Sequence, residues 1–233
     1  MDWALFSNDG FYFVLRWLHT FAGIIWIGLL YYFNFVQGSF MAETDAPAKA
    51  QVTQKLLPRA LWWFRYGALF TFLFGLTILV GRWHQNGTEF FANSYGVTIL
   101  TGATLGTLMF LNVWLVIWPN QKIVIANAKA VAGGAAANPA AALAAPKGLL
   151  ASRTNVMFSI PMLFFMAAAR HLPLAVSLES SLMTVAAVVA VIVTALEVNG
   201  IKGKLGPLTT IRGVIGCGFG LTAVLYVAME IIL

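Results

Sequence analysis

A chain of 233 residues with 60% hydrophobic and only 9% charged side chains is not a soluble globular domain, because such domains carry about 25% charged residues. The mean hydropathy of +0.83 indicates an integral membrane protein instead. The formal net charge of +6 does not indicate nucleic-acid binding, since the lysines and arginines are scattered among the loops between hydrophobic runs.

Six hydrophobic runs along the chain predict six transmembrane helices. The first run, 17–36, has no charged residue and, at about 1.5 Å per residue, is long enough to cross about 30 Å of hydrocarbon. The other predicted spans are 61–80, 95–118, 155–169, 182–196 and 214–232. We therefore expect an all-α integral membrane protein, built as a bundle of about six transmembrane helices.

The segments between these runs complete the predicted organisation. Segments 48–57 and 122–131 have the composition of helices that lie on the membrane surface. Segment 132–148, rich in Ala, Gly and Pro, is interpreted as a cytoplasmic linker between spans three and four. Span five ends before Glu197, so no carboxylate is predicted in the middle of a span, and a transporter is disfavoured. The whole chain, 1–233, is interpreted as one polytopic membrane domain.

The distribution of basic residues predicts the orientation in the membrane. Ten of the 14 lysines and arginines follow spans one, three and five. These are Lys49, Lys55, Arg59, Lys122, Lys129, Lys147, Arg153, Lys202, Lys204 and Arg212. The positive-inside rule then places both termini on the outer side, which is the periplasm if the protein lies in the inner membrane of a bacterium.

The first predicted span contains one ionisable residue, His19. At helical spacing His19, Gly23 and Trp26 share one face, and the glycine leaves a flat gap beside the imidazole. A planar cofactor such as haem can fill that gap, and so can a neighbouring helix. An ionisable group inside a membrane is costly enough to indicate a function, with a histidine hydrogen-bonded within the bundle as the structural alternative. In this topology His171 lies in the same half of the membrane, so a shared His19–His171 site for haem iron is permitted.

Arg65 opens the second predicted span among aromatic residues. One interpretation is a cation that extends to the membrane surface from the end of a helix. The other is a partner for an anionic group, such as a haem propionate, a lipid headgroup or an acidic substrate.

Four segments spread over positions 17–173 resemble a single family. They read WLHTFAGIIWIGLLYYFNFVQG, RALWWFRYGALFT, NVWLVIWPNQK and ASRTNVMFSIPMLFFMAAARHLP. Together they resemble the membrane domain of the bacterial membrane-bound urate oxidase (urate hydroxylase) family, and NVWLVIWPNQK is the most specific of the four. The first segment is also similar to haem-binding membrane protoporphyrinogen oxidases and to copper-resistance membrane proteins.

The resemblance implies an electron-transfer function. In that family a multi-span domain is coupled to a C-terminal periplasmic cytochrome c, so that electrons taken from urate leave through a c-type haem. This sequence ends at Leu233 without such a domain, so we expect a separate c-type cytochrome as the partner. The resulting hypothesis is a membrane redox protein that binds haem b or a quinone. Its candidate cofactor residues are His19, His171, Gly23, Trp26 and Arg65, and the two histidines are candidate ligands of the haem iron.

Two positions depart from the family pattern and support an alternative function. The family tends to have histidine where Thr154 stands and asparagine where Arg170 stands. These departures and the absent cytochrome domain favour a non-catalytic integral subunit that packs on a larger respiratory or photosynthetic complex. Two glycine pairs, Gly102/Gly106 and Gly216/Gly220, offer faces for close helix packing, of which we expect the bundle to use one and a partner the other.

Overall fold

The computed structural model describes residues 3–176 and 181–233, and within these ranges it contains helices but no strand. The nine α-helices are α1 (Asn8–Tyr31), α2 (Gly38–Glu43), α3 (Ala46–Gln51), α4 (Leu57–Asn86), α5 (Ser94–Leu111), α6 (Trp118–Ala132), α7 (Pro139–His171), α8 (Leu182–Lys202) and α9 (Ile211–Ile232). Three π-helical segments, Tyr32–Gln37, Val52–Leu56 and Asn112–Ile117, join α1 to α2, α3 to α4 and α5 to α6 without a break.

Among the described residues, six continuous helical stretches are long and apolar enough to cross a membrane. They are Asn8–Glu43, Ala46–Asn86, Ser94–Ala132, Pro139–His171, Leu182–Lys202 and Ile211–Ile232. The predicted all-α bundle of six transmembrane helices is therefore confirmed, and the chain is a multi-pass membrane protein that associates with a lipid bilayer. Because six spans alternate in direction, both termini lie at one end of the bundle.

Several stretches are much longer than a bilayer requires. The 41 residues of Ala46–Asn86 extend about 60 Å at 1.5 Å per residue, roughly twice the thickness of the hydrocarbon core. The surface helices expected at 48–57 and 122–131 are continuous with spans two and three, because π turns carry the chain through Val52–Leu56 and Asn112–Ile117. Two helical hairpins therefore project beyond the membrane at the end opposite the termini.

The second of these hairpins turns within the predicted linker. Only residues 133–138 lie outside helices there, and Gly134 has a positive φ of 86° that reverses the chain. The Asn138 side chain then accepts a hydrogen bond from the Ala140 backbone N–H, and Pro139 occupies the first turn of α7. The alanine-rich remainder of the segment continues as helix, which agrees with the high helix propensity of alanine.

The bundle consists of two tightly packed groups. Helix α1 packs along α4, and Gly67 permits it: a Cβ at Gly67 would lie 3.1 Å from the backbone nitrogen of Trp26. Helix α5 packs along α7 in the same way, since a Cβ at Gly102 would lie 3.2 Å from the backbone nitrogen of Met166. Helices α8 and α9 pack on the far side of α7, and few contacts join the α1–α4 pair to the α5–α7 pair.

Two of the π segments carry buried asparagines that contact α7. Asn34 donates to the carbonyl of Leu30 (2.8 Å) in its own helix and to Ser152 Oγ (2.8 Å) in α7. Asn112 donates to Asn155 Oδ1 (3.0 Å), also in α7. A π turn interrupts the regular i to i−4 hydrogen bonds of a helix, and these side chains supply bonds across the interruption.

Candidate functional site

A cavity of about 1320 Å³ lies between the α1–α4 pair and the α5–α7 pair. It is larger than the roughly 300–1,000 Å³ of most small-molecule sites. Its walls are mostly apolar, and they include His19 and Trp26 from α1, Thr71 and Gly75 from α4, and the methionines Met162 and Met166 from α7. The weak contact between the two pairs of helices creates this space, which we call the interpair cavity.

His19 has a defined orientation on the wall of the interpair cavity. Its Nδ1 lies 2.8 Å from the carbonyl oxygen of Thr71 on the neighbouring helix. A carbonyl oxygen can only accept, so Nδ1 carries the hydrogen in this bond. The other ring nitrogen, Nε2, then keeps its lone pair, which is the arrangement of a histidine that ligates a metal.

Small residues on both helices leave room for the imidazole. A Cβ at Gly75 would lie 2.9 Å from His19 Cε1 and 3.1 Å from His19 Nδ1, so any larger residue there would displace the ring. Gly23 and Trp26, the residues predicted to share a face with His19, both line the cavity. The Trp26 side chain is buried, and its indole nitrogen has no hydrogen-bond partner among the described residues.

The cavity has a basic mouth at the end of the bundle that holds the termini. Arg16, Arg82 and Arg170 line it there, with Asp9 as the one carboxylate among the lining residues. Arg82 lies over the ring of Tyr12, 4.0 Å from the ring centroid. Within residues 3–176 and 181–233 none of these arginines forms an ion pair closer than 4.0 Å, so their charges remain available to an anionic group.

Arg65 lies away from this cavity, among aromatic rings. Its guanidinium carbon is 3.4 Å from the ring centroid of Trp118 and 5.7 Å from that of Trp114, and its Nε donates to the Leu61 carbonyl (3.1 Å). The aromatic faces satisfy the cation by cation–π attraction. Arg65 and His19 are therefore not brought together, and Arg65 lies inside α4, in the continuous stretch Ala46–Asn86, and not at the end of a helix.

His171 is the last residue of α7 and is exposed, and it is not among the residues that line the cavity. Its neighbour Arg170 does line the cavity. No observation tests the cofactor and iron-binding roles expected for His19, His171, Gly23, Trp26 and Arg65, so those roles stay predictions.

Sequence reasoning missed the α4 and α7 walls of the cavity. Thr71 and Gly75 are one helical turn apart, a spacing visible in the sequence, but the sequence does not say which helix they face. Arg82 and Arg170 stand at helix ends, where arginines commonly occur for reasons of topology alone. The packing of α1 along α4 brings Thr71, Gly75 and Arg82 to the side of His19, and Arg170 lines the same cavity from α7.

A second polar site lies in the other half of the bundle. Glu197, expected at the end of span five, is 9% exposed, because α8 continues to Lys202. Its Oε2 accepts a hydrogen bond from Asn112 Nδ2 (3.1 Å). On α7, Asn155, which accepts a hydrogen bond from the same Asn112 nitrogen, and its neighbour Thr154 are fully buried. The sequence contains these polar residues but does not show that three helices bring them together.

Comparison with known proteins places the chain in a family. The family described as urate oxidase N-terminal matches residues 87–203, half of the chain. No curated protein and no solved structure matches the sequence. The matched range begins at the end of α4 and runs to the end of α8, so it contains the α5–α7 wall of the interpair cavity and the whole Glu197 cluster. The chain belongs to the urate oxidase N-terminal family.

Proposed function

We propose that this protein is a membrane redox domain that binds haem b in the interpair cavity and passes electrons to a separate c-type cytochrome. The observation that carries the proposal is the His19–Thr71 hydrogen bond of 2.8 Å, which leaves Nε2 of a membrane-embedded histidine free at the wall of a large cavity. When bound, haem b supplies a one-electron carrier at that position.

The residues of the cavity fit such a group in three respects. Gly75 leaves room for the imidazole of His19 against α4, where a Cβ would lie 2.9 Å from the ring. The walls are mostly apolar, which suits a macrocycle, and the mouth carries three arginines, which suits propionates. Among the described residues no three His, Cys, Asp or Glu side chains are grouped to hold a bare metal ion, whereas a haem iron needs only axial ligands from the protein.

The axial ligands follow from the positions of the side chains. His19 is the histidine that lines the cavity, and Thr71 orients it. Met162 and Met166 line the α7 wall and offer thioether sulfurs as a second ligand, in place of the exposed His171. Arg16, Arg82 and Arg170 would hold the propionates at the mouth.

The electron acceptor is proposed from the location of the site. The basic mouth lies at the end of the bundle that holds both termini, and the positive-inside rule places that end outside the cytoplasm. A haem held there lies near the surface that a periplasmic c-type cytochrome would contact. The proposed location is accordingly the inner membrane of a bacterium.

Visible spectroscopy tests the proposal. The purified protein, oxidised and then reduced with dithionite, should show a Soret band that shifts on reduction. His19→Ala should abolish or shift this band while the protein still inserts. The matched control is His84→Ala, an exposed histidine near the end of α4, which should leave the spectrum unchanged. A wild-type protein with no Soret band after expression with added haem would refute the haem site.

A second candidate function, an integral subunit of a larger membrane complex, is favoured by the surface of α9. A Cβ at Gly216 or Gly220 would meet no described atom within 4 Å, whereas Gly102 packs against Met166 of α7. The bundle uses the Gly102 face internally, and the α9 face remains open for another helix. Native electrophoresis in mild detergent tests this function, because a subunit migrates with its partners and an independent protein migrates at its own mass.

A further inference from the structure

A series of hydrogen bonds ends on the carboxyl group of Glu197. It lies in the half of the bundle opposite the mouth of the interpair cavity. Asn155 Nδ2 donates to the carbonyl of Met109 (2.9 Å). Asn112 Nδ2 donates to Asn155 Oδ1 (3.0 Å) and to Glu197 Oε2 (3.1 Å). The four residues come from α5, the π segment Asn112–Ile117, α7 and α8, so these hydrogen bonds connect three spans.

The Asn155–Met109 hydrogen bond determines which atom donates in every other hydrogen bond of this series. The Met109 carbonyl can only accept, so the Asn155 amide nitrogen must face it and Asn155 Oδ1 must face Asn112. Asn112 then presents its amide nitrogen to Asn155, and the second N–H of the same nitrogen reaches Glu197 Oε2. One oxygen of the carboxyl is therefore an acceptor, and Oε1 receives no hydrogen bond from the described residues.

No basic residue neutralises Glu197. Helices α5, α7 and α9 pack against α8. Their lysines and arginines, together with the lysine of α8 itself, are Lys147, Arg153, Arg170, Arg212 and Lys202. Helix α7 also ends on His171, and α9 carries Glu230. None of these cations lies within 4.0 Å of the Glu197 carboxyl. Arg153 directly precedes Thr154 in the sequence, and its Nη1 is buried without a hydrogen-bond partner among the described residues.

Thr154 places a hydroxyl group at the contact between α7 and α8. Its side chain is fully buried, and its Oγ1 has no hydrogen-bond partner among residues 3–176 and 181–233. It faces α8 at Gly200, where a Cβ would lie 2.7 Å from Thr154 Oγ1. Gly200 and Glu197 are three residues apart and share one face of α8. Glu197 and Thr154 therefore lie at the same contact between α7 and α8, with no hydrogen bond between them.

We propose that Glu197 is a proton-binding site, with its hydrogen held on Oε1 at the α7–α8 contact that also contains the Thr154 hydroxyl. A buried carboxylate without a cation is costly by several kcal/mol, and uptake of one proton removes the charge. The reaction is the addition of H⁺ to the carboxylate to give the acid, with no transfer of electrons. The N–H of Asn112 occupies Oε2 as an acceptor, so Oε1 is the oxygen that can take the proton.

The site is independent of the proposed haem. It shares no residue with the interpair cavity, and it lies near the end of α8 that belongs to the projecting hairpins. It therefore offers a protonatable group on the opposite side of the bundle from the basic mouth. A protein without haem would still hold this proton.

Infrared difference spectroscopy tests the proposal. The spectrum of the wild type minus that of Glu197→Gln at neutral pH should contain the C=O band of a protonated carboxyl, with a shift in heavy water. Glutamine offers one acceptor and one donor like the neutral acid, so this variant should fold. The control Glu43→Gln removes an exposed carboxyl and should give carboxylate bands instead. Carboxylate bands from Glu197 at neutral pH would overturn the proposal.

A second variant keeps the test decisive if Glu197→Gln does not fold. Thr154→Val keeps the branched shape and removes the hydroxyl, so the protonated carboxyl band of the wild type should shift. Dicyclohexylcarbodiimide, which reacts with protonated carboxyls in apolar surroundings, should label Glu197 and not Glu43 in a peptide mass analysis. An unshifted band in Thr154→Val together with no label on Glu197 would contradict the proton site.

Discussion

The imidazole Nδ1 of His19 lies 2.8 Å from the carbonyl oxygen of Thr71, so that α4 orients a ring carried by α1. The bond connects the two helices of the tightest pair in the bundle. Because the pair is held by close packing at Gly67, the ring position depends on the backbone and not only on its own rotamer. Changes on α4 should therefore alter the chemistry of a residue on α1.

Gly75→Ala should displace His19. The added Cβ would lie 2.9 Å from His19 Cε1, so the ring must move and its bond to Thr71 is lost, at about 1 kcal/mol. We expect a lower melting temperature and a shifted or absent Soret band. Gly220→Ala, on the open face of α9, is the control and should change neither measurement. Equal behaviour of the two variants would contradict the close contact at Gly75.

Arg170→Gln should lower the midpoint potential of a haem in the interpair cavity. Arg170 lines the basic mouth, and a nearby positive charge stabilises the reduced, more negative form of the cofactor. Arg65→Gln should leave the potential unchanged, because its guanidinium lies over Trp118 and away from the cavity. A redox titration followed at the Soret band measures both. A larger effect at Arg65 would instead support the propionate role considered from the sequence.

Asn155→Leu should destabilise the bundle by about 1–3 kcal/mol. It leaves the Met109 carbonyl without its side-chain donor and removes the acceptor of Asn112. Asn120→Leu is the matched control, since Asn120 bonds only the Val116 carbonyl of its own helix. Denaturation in mixed micelles compares the two, and a smaller loss for Asn155→Leu would show that the buried network contributes little.

Gly102→Leu and Gly216→Leu should have different consequences. A side chain at Gly102 meets Met166 and Met162 of α7, so the first variant should unfold or fail to accumulate. Gly216 has open space, so the second should fold normally and lose any partner that packs on α9. Native electrophoresis of both variants measures this. Unchanged migration of Gly216→Leu relative to a wild-type complex would exclude α9 as the docking face.

Fusion reporters test the orientation. Ten of the 14 basic residues follow spans one, three and five, which predicts that both termini lie outside the cytoplasm. A C-terminal alkaline phosphatase should be active, and a green fluorescent fusion at the same position should be dark. The reverse pattern would place the basic mouth of the cavity in the cytoplasm and would remove the support for a periplasmic cytochrome partner.

The six spans could be predicted because membrane-spanning segments are recognisable from hydropathy alone. The ends of the helices could not be predicted in this way, because a helix can continue in polar sequence after its hydrophobic run has ended. The stretch Ala46–Asn86 is an example. For span two the predicted start at 61 lies within α4, because π turns let polar segments join the helix smoothly.

The candidate site was predictable on one helix only. The spacing of His19, Gly23 and Trp26 on α1 was sufficient to place them on one cavity wall. Thr71 and Gly75 contact His19 because α1 packs against α4, and no pattern in a single sequence predicts which two helices pack together. Glu197 was assigned to a helix end for the same reason, since its burial depends on Asn112 and Asn155 of other spans.

The π segment Asn112–Ile117 makes the aromatic surroundings of Arg65 sensitive to the length of the chain. The wider π turn absorbs one extra residue, so α6 faces the direction that an α-helix one residue shorter would give it. If all residues of the segment wound as regular α-helix, Trp118 and the whole of α6 would turn by about 100°, and the ring would leave the guanidinium that now lies 3.4 Å from its centroid. Deleting a single residue between positions 112 and 117 would instead remove the π turn and keep Trp118 facing Arg65. The same one-codon deletion within the regular winding of α5 would turn Trp118 by about 100° and break this cation–π contact between two helices.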